Sequence, residues 1–299
     1  MRKTLLVIAG PTAAGKTACG ISLASEFETE IISADSRQIY RETRIGTAVP
    51  GKEELSQVRH HFIQNASVTT PYHASRYEEE VILLLEKLFR KKDLVLLVGG
   101  SGLYIDAVCQ GIDELPSSDP RLRRQLLKQF QQEGLQPLVK QLRELDPDTY
   151  ARVDLKNHMR VLKALEVTIQ TGKPYSLFLK HSPKARPFNI LRIALDLERG
   201  TLYERINQRV DRMMEEGLLS EARSLVQYRG LTPMKTVGYK ELFRYLDGEL
   251  SLDEAVDLIK RNTRKFARKQ LTWFRKDGLY TWFRPDEKDR MLSWINDHL

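Results

Sequence analysis

The sequence predicts an α/β fold, a parallel sheet core flanked by helices, carrying an all-helical insertion domain. Three observations predict it. Strand-length apolar runs alternate with helical stretches. A glycine-rich loop sits between the first run and the first helix. Strand-like runs vanish between about Glu114 and Pro187 and then return.

Residues 5–9 (Leu-Leu-Val-Ile-Ala) have the unbroken apolar pattern of a parallel strand buried on both faces. The loop of residues 10–17 follows, and residues 18–27 read as a helix. Residues 30–35 read as a second strand, with Asp35 at its carboxyl end. A helix rich in acid and leucine covers about 75–91, and residues 94–98 form a third strand. That strand runs into Gly99-Gly100-Ser101-Gly102, which opens a helix at Leu103-Tyr104. Helical segments over 119–133, 135–145 and 155–171 make the insertion. Pro137, Pro147, Gly172-Lys173-Pro174 and the prolines of 183–187 punctuate it. A strand over 190–196 resumes the core, and helices run from there to about Lys276. The expected division is therefore 1–113 with 188–299 as core, and 114–187 as insertion.

The chain has 299 residues, 41% hydrophobic and 29% charged, enough to bury a core and to form about two domains. No apolar run approaches the ~20 residues of a membrane helix, so no membrane association is expected. The N-terminus lacks a cleavable signal pattern, and the expected location is cytoplasmic. Cys19 and Cys109 are far apart, form no metal set, and read as small buried hydrophobes. The net charge of +8 becomes informative only because it is concentrated near the C-terminus.

Gly10-Pro11-Thr12-Ala13-Ala14-Gly15-Lys16-Thr17 matches GxxxxGK[ST], the P-loop pattern, between a strand and a helix as the motif requires. The core is thus expected to be P-loop NTPase-like. Glycine lets successive amides turn inward, and the helix N-terminus adds its positive dipole end. Lys16 supplies a point charge for phosphate oxygens, and the Thr17 hydroxyl can hold Mg²⁺. The loop suits ATP as well as any other diphosphate.

Asp35 ends a strand where ligands gather in open α/β sheets. It suits a magnesium or acceptor contact in a kinase, a general base in a group transferase, or a plain helix cap. Ser101 suits either an N-cap or a substrate contact. His60-His61 are adjacent and point different ways on most backbones, so shared metal ligation is not expected.

Residues 260–270 carry six cations: Lys260, Arg261, Arg264, Lys265, Arg268 and Lys269. Ile259, Phe266 and Trp273 recur every seven residues, so an apolar seam facing the core and a cationic face outward are expected. Like charges at i,i+4 cost ~0.2–0.5 kcal/mol per pair, a cost that a nucleic-acid backbone would offset.

An ordered set of motifs then adds a family. After the P-loop come Asp35-Ser36-Arg37-Gln38-Ile39-Tyr40, Ile45-Gly46-Thr47-Ala48, His60-His61 and Gly99-Gly100-Ser101-Gly102-Leu103-Tyr104. Further on stand Arg160-Val161-Leu162-Lys163-Ala164-Leu165-Glu166, Thr171-Gly172-Lys173-Pro174, Val237-Gly238-Tyr239-Lys240-Glu241 and Gln270-Leu271-Thr272-Trp273-Phe274-Arg275. Over nearly its whole length the chain resembles the bacterial tRNA dimethylallyltransferases, also called isopentenyl-diphosphate:tRNA isopentenyltransferases.

The resemblance implies transfer of a dimethylallyl group from dimethylallyl diphosphate to N6 of adenosine 37, beside the anticodon of tRNAs reading codons that start with U. It implies that the loop, Gly10, Thr12, Ala13, Ala14, Gly15, Lys16 and Thr17, cradles that diphosphate rather than ATP, with Arg209 beside it and Mg²⁺ on Thr17. Asp35 would be the general base, and Ser36, Arg37, Gln38 and Ser101 would line the flipped nucleotide. Lys16, Ser101 and Arg209 would support catalysis. Arg123, Met159, Arg160 and Lys163 would contact the tRNA anticodon stem-loop from the insertion. Ser101 stands where many relatives have threonine. Val49, Gln64 and His158 also depart from the family's common residues, and no zinc is implied. A monomer is expected. A small-molecule kinase, an adenylate isopentenyltransferase and an RNA-binding ATPase are the alternatives, none of which needs the whole set.

Overall fold

The computed structural model describes residues 2–179, 182–276 and 278–299. The chain divides into two compact units, Met1–Gln110 with Ala185–Leu299, and Gly111–Lys184. In chain order the first unit opens with β1 (Thr4–Ala9), α1 (Lys16–Glu26), β2 (Ile31–Ser33), α2 (Lys52–Gln57), β3 (His60–His61), α3 (Ala74–Leu88), β4 (Leu94–Val98) and α4 (Gly102–Gln110). The second unit contributes α5 (Pro120–Glu133), α6 (Gln136–Leu145), α7 (Pro147–Arg152) and α8 (His158–Thr171). The first unit then resumes with β5 (Asn189–Leu195), α9 (Arg199–Glu215), α10 (Leu218–Ser224), α11 (Tyr239–Leu246), α12 (Leu252–Arg275), β6 (Thr281–Phe283) and α13 (Lys288–His298).

Among the described residues the sheet has six strands in the order β3-β2-β4-β1-β5-β6, and every pairing is parallel. The α/β expectation is met. Leu5, Leu6, Val7 and Ile8 in β1, and Val95, Leu96 and Leu97 in β4, have no exposed surface. Helices on both faces explain that burial, and with it the unbroken apolar runs in the sequence. The adjacent strands β2, β4 and β1 put three loops side by side at their carboxyl ends: residues 34–38, 99–102 and 10–15. Ligands bind there in open parallel sheets. The loops crowd so closely that a Cβ on Gly99 would lie 2.1 Å from the Ala34 carbonyl oxygen.

The edge strands β3 and β6, and the helices α2, α7 and α13, were not anticipated from sequence. Strands of two and three residues are too short to show a period. Helix α13 nonetheless adds Met291 and Ile295 to the main core beside Leu6, Ile8, Leu96 and Ile193. Cys19 and Cys109 are buried as expected, and burial pushes both thiols up to about 11. Among the described residues no helix is long and apolar enough to cross a membrane.

The unit Gly111–Lys184 packs its helices around Leu126, Leu138, Leu142, Val161, Leu162 and Leu165. Asp146 is fully buried at the α6–α7 junction. It accepts from Thr149 N at 3.0 Å and Thr149 Oγ1 at 2.6 Å, and from Ser176 N at 2.8 Å and Ser176 Oγ at 2.9 Å.

Candidate active site

The P-loop leaves β1 at Gly10 and enters α1 at Lys16, with Gly15 left-handed at φ 91°. Ala13 is also left-handed, at φ 64°, which stores strain of about 1–2 kcal/mol in a residue with a Cβ. Lys16 Nζ donates to the Pro11 carbonyl at 2.7 Å. Burial, helped by the Arg209 charge and opposed by Asp35, brings the Lys16 ammonium down to about 8. Arg209 reaches in from α9 and donates from Nη1 to Thr12 Oγ1 at 3.3 Å. Two cations therefore face the mouth of the loop, in a setting that an incoming polyanion would relieve.

Asp35 stands across from them. Its Oδ1 accepts from the Arg37 and Gln38 amides at 2.8 and 3.4 Å. Those amides belong to a turn, not a helix, so the sequence alternative of a helix cap becomes a turn cap. Among the described residues no hydrogen bond reaches Oδ2, so one oxygen fixes the carboxylate of a residue that lines the cleft.

Ser101 resolves its own ambiguity. Its carbonyl accepts the first amides of α4, from Tyr104 and Ile105, but its hydroxyl turns elsewhere. Ser101 Oγ accepts from the Ser36 amide at 2.9 Å and donates to Ser36 Oγ at 3.1 Å. It braces the Asp35 turn. Gln38 Nε2 donates to the carbonyls of Thr47 and Ala48 at 3.2 and 2.8 Å, which ties the 44–48 loop to the same turn. Arg37 lines the cleft beside it, and the whole cleft measures about 1470 Å³.

Two further side chains build this cleft: Glu221, which the sequence does not single out, and Gln270, which it names only within the motif of residues 270–275. Glu221 on α10 accepts from the amides of Arg44, Ile45 and Gly46 at 2.8–2.9 Å and from Tyr239 Oη at 2.6 Å. Gln270 on α12 accepts from Thr12 N at 2.9 Å and donates to the Gly100 carbonyl at 2.8 Å. Its signals in the sequence are its place in that motif and a polar residue on the buried stripe of an amphipathic helix.

The seam expected on α12 is corrected. Its buried stripe is Ala255, Ile259, Ala267, Gln270 and Phe274. Ala267 packs on Leu202 and Ile206 of α9. Phe266 and Trp273 are 46% and 44% exposed and line the cleft. The cationic face also divides: Lys260 pairs with Asp211 at 2.6 Å and Arg264 donates to Asn207 at 2.6 Å, whereas Lys265, Arg268, Lys269 and Lys276 border an outer groove.

His60 and His61 do point apart. His60 Nδ1 lies 2.8 Å from the Val58 carbonyl, and His61 Nε2 lies 2.6 Å from Glu30 Oε2. Among the described residues no cluster of three potential metal ligands forms. In the second unit, Met159 and Arg160 are exposed on the first turn of α8 and Lys163 is half-buried one turn on. Arg123 is committed to a 2.9 Å ion pair with the buried Glu166 and approaches Met159 Sδ at 3.8 Å. His158 stacks on Phe130, with ring centroids 4.6 Å apart.

The model of the IPP transferase family matches residues 38–277. The P-loop and Asp35 precede that match, but the relatives extend over them. A Bacteroides fragilis protein named tRNA dimethylallyltransferase 1 is 50% identical over 293 residues, covering 98% of this chain and 97% of its own. A Cytophaga hutchinsonii protein named tRNA dimethylallyltransferase is 46% identical over 299 residues, covering 100% and 98%. Among solved structures, the full-length tRNA isopentenylpyrophosphate transferase of Bacillus halodurans superposes with a TM-score of 0.71 at 36% identity, covering 99% of this chain and 95% of that one. A eukaryotic dimethylallyltransferase acting on tRNA superposes with a TM-score of 0.85 at 25% identity, covering 99% and 79%.

Proposed function

The chain belongs to the IPP transferase family, and on that premise we propose that it transfers a dimethylallyl group from dimethylallyl diphosphate to N6 of adenosine 37 in the tRNA anticodon loop. The acceptors would be tRNAs reading codons that begin with U, and the protein would work as a cytoplasmic monomer. The observation that carries this reading is Asp35. One carboxylate oxygen is fixed by the turn, among the described residues no hydrogen bond reaches the other, and the residue lines the same cleft as the P-loop.

Adenine N6 is a weak nucleophile, because its lone pair is delocalised into the ring and stacking hides it. The base must be extruded, at a cost of a few kcal/mol. Asp35 Oδ2 accepts the N6 proton as N6 attacks the allylic C1 and the bond from C1 to the diphosphate oxygen breaks. Negative charge grows on the leaving diphosphate. The loop amides, Lys16 and Arg209 stabilise it. Ser101 and Ser36 hold the Asp35 turn in register. In the second unit Arg160, Lys163 and Met159 offer an exposed surface for the stem-loop, with Arg123 steadying α8 from Glu166.

The residues fit a Mg²⁺ ion held largely by substrate. Thr17 Oγ1 stands on the first turn of α1 beside Lys16, and diphosphate oxygens with water would complete the shell. Bound there, the ion would neutralise charge on the departing group.

The test uses labelled dimethylallyl diphosphate with unmodified tRNA. Label should appear at adenosine 37, and Asp35→Ala should lower single-turnover rate far more than tRNA affinity. Transfer to free AMP, or ATP hydrolysis without prenyl transfer, would overturn the reading.

A further inference from the structure

Trp273 is an exposed indole that is held rigid. Its ring lies against Gly102, where a Cβ would come within 2.3 Å of Nε1. Its N–H donates to Asp106 Oδ2 at 3.0 Å, one turn further along α4. Yet 44% of the residue is exposed. Exposing a large aromatic surface forgoes burial worth about 25 cal/mol per Å², and pinning it forgoes side-chain entropy as well. A ring both pinned and left open is pre-organised for a flat partner.

Position says which partner. Gly102 adjoins Ser101, which hydrogen-bonds the residue next to Asp35, so the indole sits beside the acceptor end of the cleft. Phe266, 46% exposed, lines the same cleft two helical turns earlier, ~10.5 Å along the axis. Lys265, Arg268, Lys269 and Lys276 border the adjoining outer groove. Aromatic faces interleaved with cations are the pattern that binds single-stranded nucleic acid, the rings stacking on bases and the cations tracking phosphates. A prenyl chain would call for an enclosed apolar pocket without cations at its rim.

We propose that Trp273 is a stacking platform for an unpaired base flanking the acceptor adenosine, with Phe266 supporting the next, and that the α12 cations guide the phosphates between them. The two positions lie ~10.5 Å apart along the helix axis, about three stacking steps of ~3.4 Å, so two bases fit between rings at that spacing. This inference rests on the anticodon-loop reading above.

The test is a coupling measurement on the full chain. Dissociation constants are measured for an anticodon stem-loop RNA and for versions carrying an abasic site on either side of the acceptor. Wild type should lose about tenfold with one abasic site, within the range of base–aromatic stacking. Trp273→Ala should lose about as much on intact RNA and little more on that abasic RNA, while Trp273→Phe keeps most of the affinity. Lys265→Ala should instead lower the slope of log K against log salt by about one and show no coupling to the abasic site. Additive losses for Trp273→Ala and the abasic sites would overturn the proposal. So would unchanged RNA affinity, or weakened dimethylallyl diphosphate affinity with RNA binding intact. Absence of prenyl transfer by wild type would sink the functional reading while leaving the coupling measurement readable.

Discussion

Gln270 Nε2 donates to the Gly100 carbonyl at 2.8 Å, and a Cβ on Gly100 would lie 2.4 Å from that same nitrogen. The other end of the amide accepts from Thr12 at 2.9 Å. A single side chain, 8% exposed, thus fastens α12 to both the P-loop and the glycine turn. Gln270→Ala leaves a buried donor and acceptor unpaired, about 1–3 kcal/mol each. The expected outcome is at least a tenfold fall in kcat, with KM for tRNA nearly unchanged. Gln270→Glu should be worse, because its carboxylate would face the Gly100 oxygen. Steady-state kinetics of both variants check this, and a wild-type kcat in Gln270→Ala would contradict it.

On the proposed reading, Lys16 should make diphosphate binding proton-linked. Its free-state value of about 8 means that above this pH the loop is progressively neutral. A bound diphosphate favours the charged ammonium and raises its value. Binding near pH 8.5 should therefore take up a proton, and affinity should fall as pH rises above about 8. Calorimetry in two buffers of different ionisation enthalpy measures the uptake. Identical heats in both buffers would mean that Lys16 is already fully charged.

Ser101 positions Asp35 through Ser36. Ser101→Ala removes the acceptor of the Ser36 amide, a net loss of about 0.5–1.5 kcal/mol. The turn should loosen, lowering kcat several-fold while diphosphate affinity stays. Ser101→Thr keeps the hydroxyl and should retain most activity. Measuring kcat alongside diphosphate binding separates a positioning role from general damage to the cleft.

Much of the site was legible because its chemistry lies in local patterns. Residues 10–17 announce the loop, and Asp35 and Ser101 follow apolar runs whose strand character is unambiguous. What stayed hidden was set by packing. On α12 the every-seven spacing of Ile259, Phe266 and Trp273 suggested a core seam. The buried stripe instead runs through Ala267, Gln270 and Phe274, with Ala267 packing on α9. Hydropathy cannot tell that a glutamine is buried because two loops satisfy it, or that a tryptophan is left open. Glu221 was equally hidden, since the amides it holds lie 175 to 177 positions away.

Asp146 should make the Gly111–Lys184 unit acid-sensitive. Burial opposes its charge, but donors from Thr149 and Ser176 outweigh that and hold the carboxyl below its usual value of 3.8. A carboxyl depressed by folding contributes stability that is complete above the unfolded value and lost as pH falls through the lower folded value. The contribution should thus be intact at pH 6 and fade below about pH 4. Asp146→Asn puts an amide nitrogen against donors and should cost about 2 kcal/mol at neutral pH, with little further loss on acidification. Hydrogen exchange of the α6 and α8 amides against pH follows this unit alone. Wild type should lose protection progressively as pH falls below about 4, while Asp146→Asn, already weaker, stays flat over the same range. Parallel profiles for the two proteins would show that another group carries the acid response.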